Sequence, residues 1–488
     1  MRQFGRWSAY LECLGAFIAC FGLMLWIEFA GPAIVDHDGY YHIRWSWLLR
    51  QSFPHLPRFE WLPLTVLRPP DYVDHHFFFH VLLMPFTFGD LRIGAKVAAA
   101  FFAALALTAL FGVLIAWRLR FRWFWLAIIA LGAEQFIYRL TMTRAPSLSL
   151  ALLATGSWLI LRRRLWPLAV LTFLFVWTYS MFPLMVVFAC AYAAAVYLCE
   201  KRIELGAVYA TLLGSVSGLI INPYFPKNIA LLWLHVRMVH SGASDVDPGV
   251  EWSPFDTWQS LTDDLLICVV CFIALLAFDW RRRRKDDGKA LFFLLIATLF
   301  TVFLARWMRF IEYWPAFAVL FAAFTLDPLL PRIRGRSRVA AMVLALALAA
   351  LPLLRNIREG RDDVITEADP LALRGASAWL AQHTPAGTLV FNTVWDEFPM
   401  LFYYNQHNVY VSGLDPRYLA DANGDLGNLF NSIRQGDENR PGAVIAGRFG
   451  ARYVVTDNTE SDFLIAAHAS GEFDTVYTDS TAVVLHVR

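Results

Sequence analysis

The sequence predicts an α-helical polytopic membrane domain followed by a small α/β soluble domain. Three observations predict it. Of the 488 residues, 58% are hydrophobic, with a mean hydropathy of +0.48, whereas a water-soluble domain is roughly half apolar. The charged residues, 17% of the chain, gather in clusters between long apolar runs. From about residue 360 onward the composition becomes that of a soluble domain.

About eleven apolar runs are long enough, or nearly so, to cross a hydrocarbon core of about 30 Å. They lie near residues 9–31, 93–117, 123–140, 147–161, 165–180, 183–199, 206–221, 265–280, 289–305, 313–330 and 339–354. The first follows Arg2 and Arg6 without a small-residue cleavage site, so a retained helix is expected rather than a signal peptide. The pair flanking Pro183 leaves open a single kinked or re-entrant element. The basic clusters at 118–122, 162–164, 201–202, 281–285 and 332–338 join Arg2 and Arg6 on one side if all eleven runs span. The positive-inside rule makes that side the cytoplasm of an inner (plasma) membrane. The N-terminus is then cytoplasmic. Residues 32–92, 222–264, 306–312 and everything after 355 are extracytoplasmic. The predicted domains are residues 1–354 and 355–488. In the second, a helix is expected at 371–383 and strands at 388–392, 408–411, 453–456 and 482–487.

Composition excludes some function classes. A net charge of +2 gives no electrostatic case for nucleic acid. The six cysteines lie in or beside apolar runs without metal-ligand spacing, which argues against a disulfide or zinc framework.

The outward loops hold the residues able to do chemistry. The first opens Asp36-His37-Asp38-Gly39-Tyr40-Tyr41-His42-Ile43-Arg44. Two carboxylates two residues apart can hold a hard divalent cation, and Gly39 would permit a tight turn beside them. An interfacial loop with aromatic anchors is the bland alternative; the attached Tyr41, His42 and Arg44 favour a site. Next come Asp71, Asp74, His75, His76 and His80. Adjacent histidines point apart, so donor contacts or a structural role in the loop are expected of His75 and His76, ahead of their closing on one metal ion. The loop from Asn222 carries His235, His240, Asp245, Asp247, Glu251-Trp252-Ser253-Pro254 and Trp258. The turn at 306–312 places Arg306 and Arg309 outside, against the charge bias. Their forked donors suit a lipid phosphate, the alternative being a membrane anchor with Arg309 paired to Glu312. In the soluble domain, Trp395-Asp396-Glu397 follows a predicted strand and leads on to residues 412–418.

These residues resemble those of the GT-C glycosyltransferases, in particular the catalytic subunit of bacterial and archaeal oligosaccharyltransferases. Asp38 to Arg44 resembles the first-loop aspartate motif, Glu251-Trp252-Ser253-Pro254 with Trp258 the glutamate motif of a later external loop, and Trp379 through Asp396 the approach to a Trp-Trp-Asp-Tyr-Gly block. Arg309 stands where the family has an arginine near the lipid pyrophosphate. Two departures stand out. The last block reads Val394-Trp395-Asp396-Glu397-Phe398, and the turn Arg144-Ala145-Pro146-Ser147 lacks the family's carboxylates.

The resemblance implies a polyprenyl-linked sugar donor and a protein, glycan or lipid acceptor, with membrane lipids around them. It implies catalysis by Asp38 and Glu251, and Mg²⁺ or Mn²⁺ on Asp36, Asp38 and Glu251. Arg309, Arg306, His75 and His76 would contact the donor phosphate. Tyr41, His42, Arg44, Trp395, Asp396 and Glu397 would form the acceptor side. A GT-C enzyme adding one sugar to a glycan, lipid or polymer is the nearest alternative. A polyprenyl-glycan flippase is disfavoured by the few charges within the apolar runs and the lack of symmetric halves.

Overall fold

The computed structural model describes residues 2–240, 250–254, 262–281, 287–332 and 336–488. The N-terminal part comprises α1 (Arg2–Glu28), α2 (Asp38–Ser52), α3 (Phe77–Leu83), α4 (Leu91–Ala116), α5 (Arg122–Leu131), α6 (Glu134–Thr141), α7 (Ala145–Leu161) and α8 (Leu165–Thr178). It continues with α9 (Pro183–Glu200), α10 (Gly206–Ile220), α11 (Lys227–His240), α12 (Leu265–Ala277), α13 (Asp287–Leu304), α14 (Trp314–Leu326) and α15 (Arg336–Thr366).

All of the predicted apolar runs fall on helices. Among the described residues, however, only four are long and apolar enough to cross a membrane: Trp7–Glu28 within α1, α4, α9 and α13. A fifth crossing arises if α6 and α7, bent by 109°, count as one broken span. The run at 123–140 is interrupted, with α5 ending before Gly132 and α6 starting at Glu134. The runs flanking Pro183 are two helices. Pro183 opens α9 at its first turn, where a missing N–H leaves no bond unmade. Asp90 caps α4 by accepting from the Arg92 and Ile93 N–H groups at 2.8 and 3.1 Å. Trp7, Tyr10, Leu11, Leu14 and Ile18 of α1 are exposed, the pattern of a helix facing lipid.

Residues 32–92, expected as a loop, contain α2 and α3. The predicted domain boundary at 354/355 falls inside α15, which carries the chain without a break to the C-terminal part. There α16 (Arg374–His383), β1 (Leu389–Asn392), α17 (Phe398–Tyr404), β2 (Val409–Tyr410), α18 (Arg417–Ala422), α19 (Gly424–Arg434), α20 (Pro441–Val444), β3 (Tyr453–Asp457), α21 (Ser461–Ser470), β4 (Phe473–Thr478) and β5 (Ala482–Val487) follow. The sheet order is β2-β1-β3-β5-β4. β1 runs parallel to β2 and β3, and β5 runs antiparallel to β3 and β4. The four predicted strands are present. β4, an edge strand with mostly exposed side chains, lacks the apolar signal that marks the others.

The two parts share a core. Tyr40, Tyr41, Ile43 and Trp45 of α2 pack with Phe398, Leu401, Phe402 and Tyr403 of α17. The Tyr410 N–H donates to the Trp61 carbonyl at 2.8 Å, and Val66 N–H to the Tyr418 carbonyl at 3.1 Å. The segment after α2 is thus built into the edge of the sheet domain, which holds α2 against the membrane helices.

Candidate active site

Between α2, the α6–α7 bend, the 306–310 turn and residues 414–418 lies a cavity of about 800 Å³. Its polar wall includes Asp38, His42, Arg144, Tyr179, Arg309 and Asp415. Its apolar wall includes Met181, Leu184, Val187, Leu232, Val236 and Phe303.

Asp38 enters this cavity because of how the chain leaves α1. Asp36 adopts the left-handed backbone, with φ 68°, and α2 begins two residues later. The tight turn expected of Gly39 is therefore made by Asp36. Gly39 lies in the first turn of α2, where a Cβ would stand 2.6 Å from Ile34 Cγ2; its bareness lets the helix start against Ile34 and Thr143.

Asp36, Asp38 and Glu251, predicted as joint metal ligands, are brought together around Arg144. Arg144 Nη1 lies 3.2 Å from Asp36 and 2.7 Å from Glu251, and Nη2 lies 3.3 Å from Asp38. Arg139, on α6, extends the network. Its Nη1 lies 2.5 Å from Glu251, and its Nε donates to Glu312 at 2.9 Å. Burial is the main influence on Asp38 and pushes it up to about 7. Arg144 and His37 oppose this, while Asp36 and Glu251 add to it. Burial would also raise Glu251, but Arg139, Arg144 and Arg309 hold it well below the usual carboxylate range.

The predicted Mg²⁺ or Mn²⁺ does not fit this arrangement. The carboxylates that would ligate it already converge on a guanidinium, and a divalent ion would have to displace Arg144 to reach the same oxygens. Among the described residues no group of three or more His, Cys, Asp or Glu side chains is placed to hold a metal ion.

Arg309 lines the cavity, donates through Nη2 to the Tyr179 hydroxyl at 2.7 Å, and lies 4.4 Å over the Trp252 ring. Glu312 pairs with Arg139 instead, which removes the anchor pair considered for Arg309. Arg306 also lines the cavity and lies over Trp307. His75 and His76 reach the wall as uncharged rings: burial lowers His75 to about 4 and His76 well below its ordinary value. As uncharged rings they offer a phosphate a hydrogen bond rather than a positive charge.

On the expected acceptor side, Tyr41 and His42 line the cavity, and the Tyr41 and Tyr72 hydroxyls share a 2.9 Å hydrogen bond. Arg44, Trp395, Asp396 and Glu397 do not line it. Arg44 packs its guanidinium over Tyr403 at 4.8 Å and Trp47 at 5.3 Å. Asp396 faces His37 at 3.8 Å. Glu397 is buried and accepts the Val394 and Asp457 N–H groups at 3.2 and 3.0 Å, tying its loop to β3. The sheet domain reaches the cavity through Leu414, Asp415, Arg417 and Tyr418. Asp245, Asp247 and Trp258 lie outside the described residues, as does the His240 side chain. Arg139, Arg144 and the pairing of Asp74 with His80 were not singled out from the sequence. The available signal was one arginine inside the apolar run 123–140 and another just beyond its end, each a charge out of place for a membrane-spanning segment or an outward turn.

No family model matches the sequence, and no curated protein matches it. Solved structures do. The archaeal oligosaccharyltransferase AglB from Archaeoglobus fulgidus, in complex with an inhibitory peptide and a dolichol-phosphate, matches with a TM-score of 0.65 at 13% identity, over 92% of this chain and 70% of that one. The same organism's oligosaccharyltransferase in complex with Zn and sulfate matches with a TM-score of 0.63 at 12% identity, over 97% and 73%. ArnT from Cupriavidus metallidurans, bound to undecaprenyl phosphate, matches with a TM-score of 0.56 at 14% identity, over 97% of both chains. The chain therefore has the fold of the GT-C glycosyltransferases.

Proposed function

We propose that this chain is a multi-pass membrane glycosyltransferase that moves a sugar from a polyprenyl phosphate or pyrophosphate to an acceptor on the extracytoplasmic face. The observation that carries this is the make-up of one cavity. A half-buried carboxylate, Asp38, and a half-buried cavity arginine, Arg309, share it with an apolar wall formed by residues such as Leu184, Val187 and Phe303. The dolichol-phosphate and undecaprenyl phosphate bound to the similar structures are ligands of the class that such a cavity suits.

In this reading the isoprenoid lies along the apolar wall, and Arg309, with Arg306 beside it, holds the phosphate. The acceptor's nucleophilic atom bonds to the anomeric carbon as the bond from that carbon to the phosphate oxygen breaks, its electron pair leaving with the phosphate. Asp38 takes the proton of the attacking group. Arg144 fixes Asp38 in place, and the charge stabilisation comes from arginines already in position. No step uses a divalent ion, because Arg144 occupies the centre of the carboxylates.

One observation favours transfer of a single sugar to a glycan, lipid or polymer over transfer of a glycan to protein. The Trp395–Glu397 block, which in the resemblance reads the acceptor sequence, lies off the cavity, and Glu397 is committed to backbone N–H groups. Mass spectrometry of cell-surface glycoconjugates with and without this protein tests both readings. Loss of a single sugar from a lipid or polymer supports the second, and loss of protein-linked glycan supports the first. An unchanged glycoconjugate profile contradicts the proposal.

A further inference from the structure

Two buried hydrogen bonds fasten the catalytic centre to one turn of α4. Lys96 Nζ donates to the Ala33 carbonyl, three residues before Asp36. Thr143 Oγ1 donates to the Ala95 carbonyl at 3.0 Å, and Thr143 is the residue that precedes Arg144. Lys96, Ala33 and Thr143 are all buried. α4 packs against α1, which leads into the Asp36–Asp38 turn, and against α7, which leaves the Arg144 turn. Adjacent residues of one helix thus hold the segment that carries two carboxylates and the segment that carries their guanidinium. Lys96 lies in the apolar run 93–117, and its partner Glu28 in the run 9–31. Buried charges in such segments are rare and mark a task beyond packing. Lys96 Nζ is 3.8 Å from Glu28 Oε2, and neither oxygen of Glu28 has a hydrogen-bond partner among the described residues. Glu28 therefore faces Lys96 without taking a hydrogen bond from it, and the directed bond goes to Ala33. An amine and an ammonium both donate to a carbonyl, so this tie holds whatever the charge of the pair.

We propose that Lys96 and Thr143 are positioning residues for the transfer: through the Ala33 and Ala95 carbonyls they register the Asp36–Asp38 turn and the Arg144 turn on one helix, and so set the distance between Asp38 and Arg144. This rests on the glycosyltransferase reading above. Neither residue lines the cavity, so both act through the groups they hold. Asp38 lies 3.3 Å from Arg144 Nη2, and a displacement of about 1 Å at such a pair can cost about a hundredfold in rate.

The test measures transfer against pH for the full-length protein in vesicles, with sugar-bearing carriers and the acceptor fraction taken from the host membrane. Thr143→Val keeps the shape and removes the donor, while Thr143→Ser keeps the donor. Glu28→Gln combined with Lys96→Met removes the other tie and leaves no unpaired charge behind. Burial raises Asp38 to about 7; Arg144 is the largest influence against it, Asp36 and Glu251 add to the rise, and His37 opposes it. A guanidinium that drifts away lets Asp38 rise further. Thr143→Val and the double variant should therefore move the acid limb of kcat/KM to higher pH by at least about half a unit. They should also lower kcat about tenfold or more at an unchanged donor KM, since Arg309 is untouched. Thr143→Ser should keep the wild-type limb and rate. A merely structural role would lower the melting temperature or the amount of active protein, and neither moves the midpoint of the limb. If one variant does not fold, the other decides. An unmoved limb in whichever folds overturns the inference, and failure of both to fold assigns the two ties to folding alone and overturns it as well. A wild type that transfers no sugar, or transfers it without an acid limb, removes the reading of Asp38 as base, and this inference with it.

Discussion

Burial raises Asp38 to about 7, so its ionisation falls within the working range of a cell. As pH drops through that value Asp38 takes up a proton and can no longer accept one from the acceptor. Transfer should therefore fall on the acid side of neutrality and level off above it, read as kcat/KM against pH. A flat profile from about pH 6 to 8 contradicts the assignment of Asp38 as base. Arg309 bears on the donor instead. Its guanidinium already has Tyr179 and Trp252 as partners, which hold it in place without neutralising it. Arg309→Lys keeps the charge but loses the fork, and should raise the apparent KM for donor moderately. Arg309→Ala should raise it severely, by at least about a hundredfold, with the protein still folded. If Arg309→Ala instead unfolds the protein and leaves donor dependence unaltered in whatever folds, Arg309 is structural.

The decisive element is the bend between α6 and α7, where Arg144 is aimed at three carboxylates from two distant segments. Arg144→Ala leaves Asp36, Asp38 and Glu251 facing one another with Arg139 and Arg309 left to compensate at Glu251. Breaking such a partly buried network should cost about 3 kcal/mol of stability and abolish transfer, and Arg144→Lys should recover only part of the stability. Chelators should leave wild-type transfer unchanged; a requirement for added Mn²⁺ would mean that the carboxylates rearrange around a metal. This element also marks the limit of sequence reading. The apolar runs and four strands were legible because period and composition act locally. Asp38, Tyr41, His42, Arg306 and Arg309 were legible as outward polar residues beside helices, and each lines the cavity. Arg144 was visible as a residue but not as the hub, because its partners lie 108, 106 and 107 positions away in sequence. Trp395 and Glu397 misled for the converse reason. A loop leaving a strand is a common place for a site, yet here the loop turns its carboxylate back onto the sheet.

At the scale of the whole molecule, the sheet domain, α2 and the 306–310 turn enclose one side of the cavity, and the positive-inside rule, applied to eleven spans, predicts that this side faces outward. A cysteine in place of Arg163, between α7 and α8, should be shielded from an impermeant thiol reagent in intact cells, and one in place of Ser461 in the sheet domain should react. Reaction of both or of neither contradicts the orientation. The central claim is that a sugar leaves a polyprenyl carrier through chemistry at Asp38. The most direct measurement is release of undecaprenyl phosphate or pyrophosphate from sugar-bearing carriers, extracted from the host membrane, by purified protein in vesicles with the native acceptor fraction. The account predicts release by the wild type and a loss of at least about a hundredfold in Asp38→Asn, with the variant still folded in the vesicles. Equal release by the two proteins would contradict it.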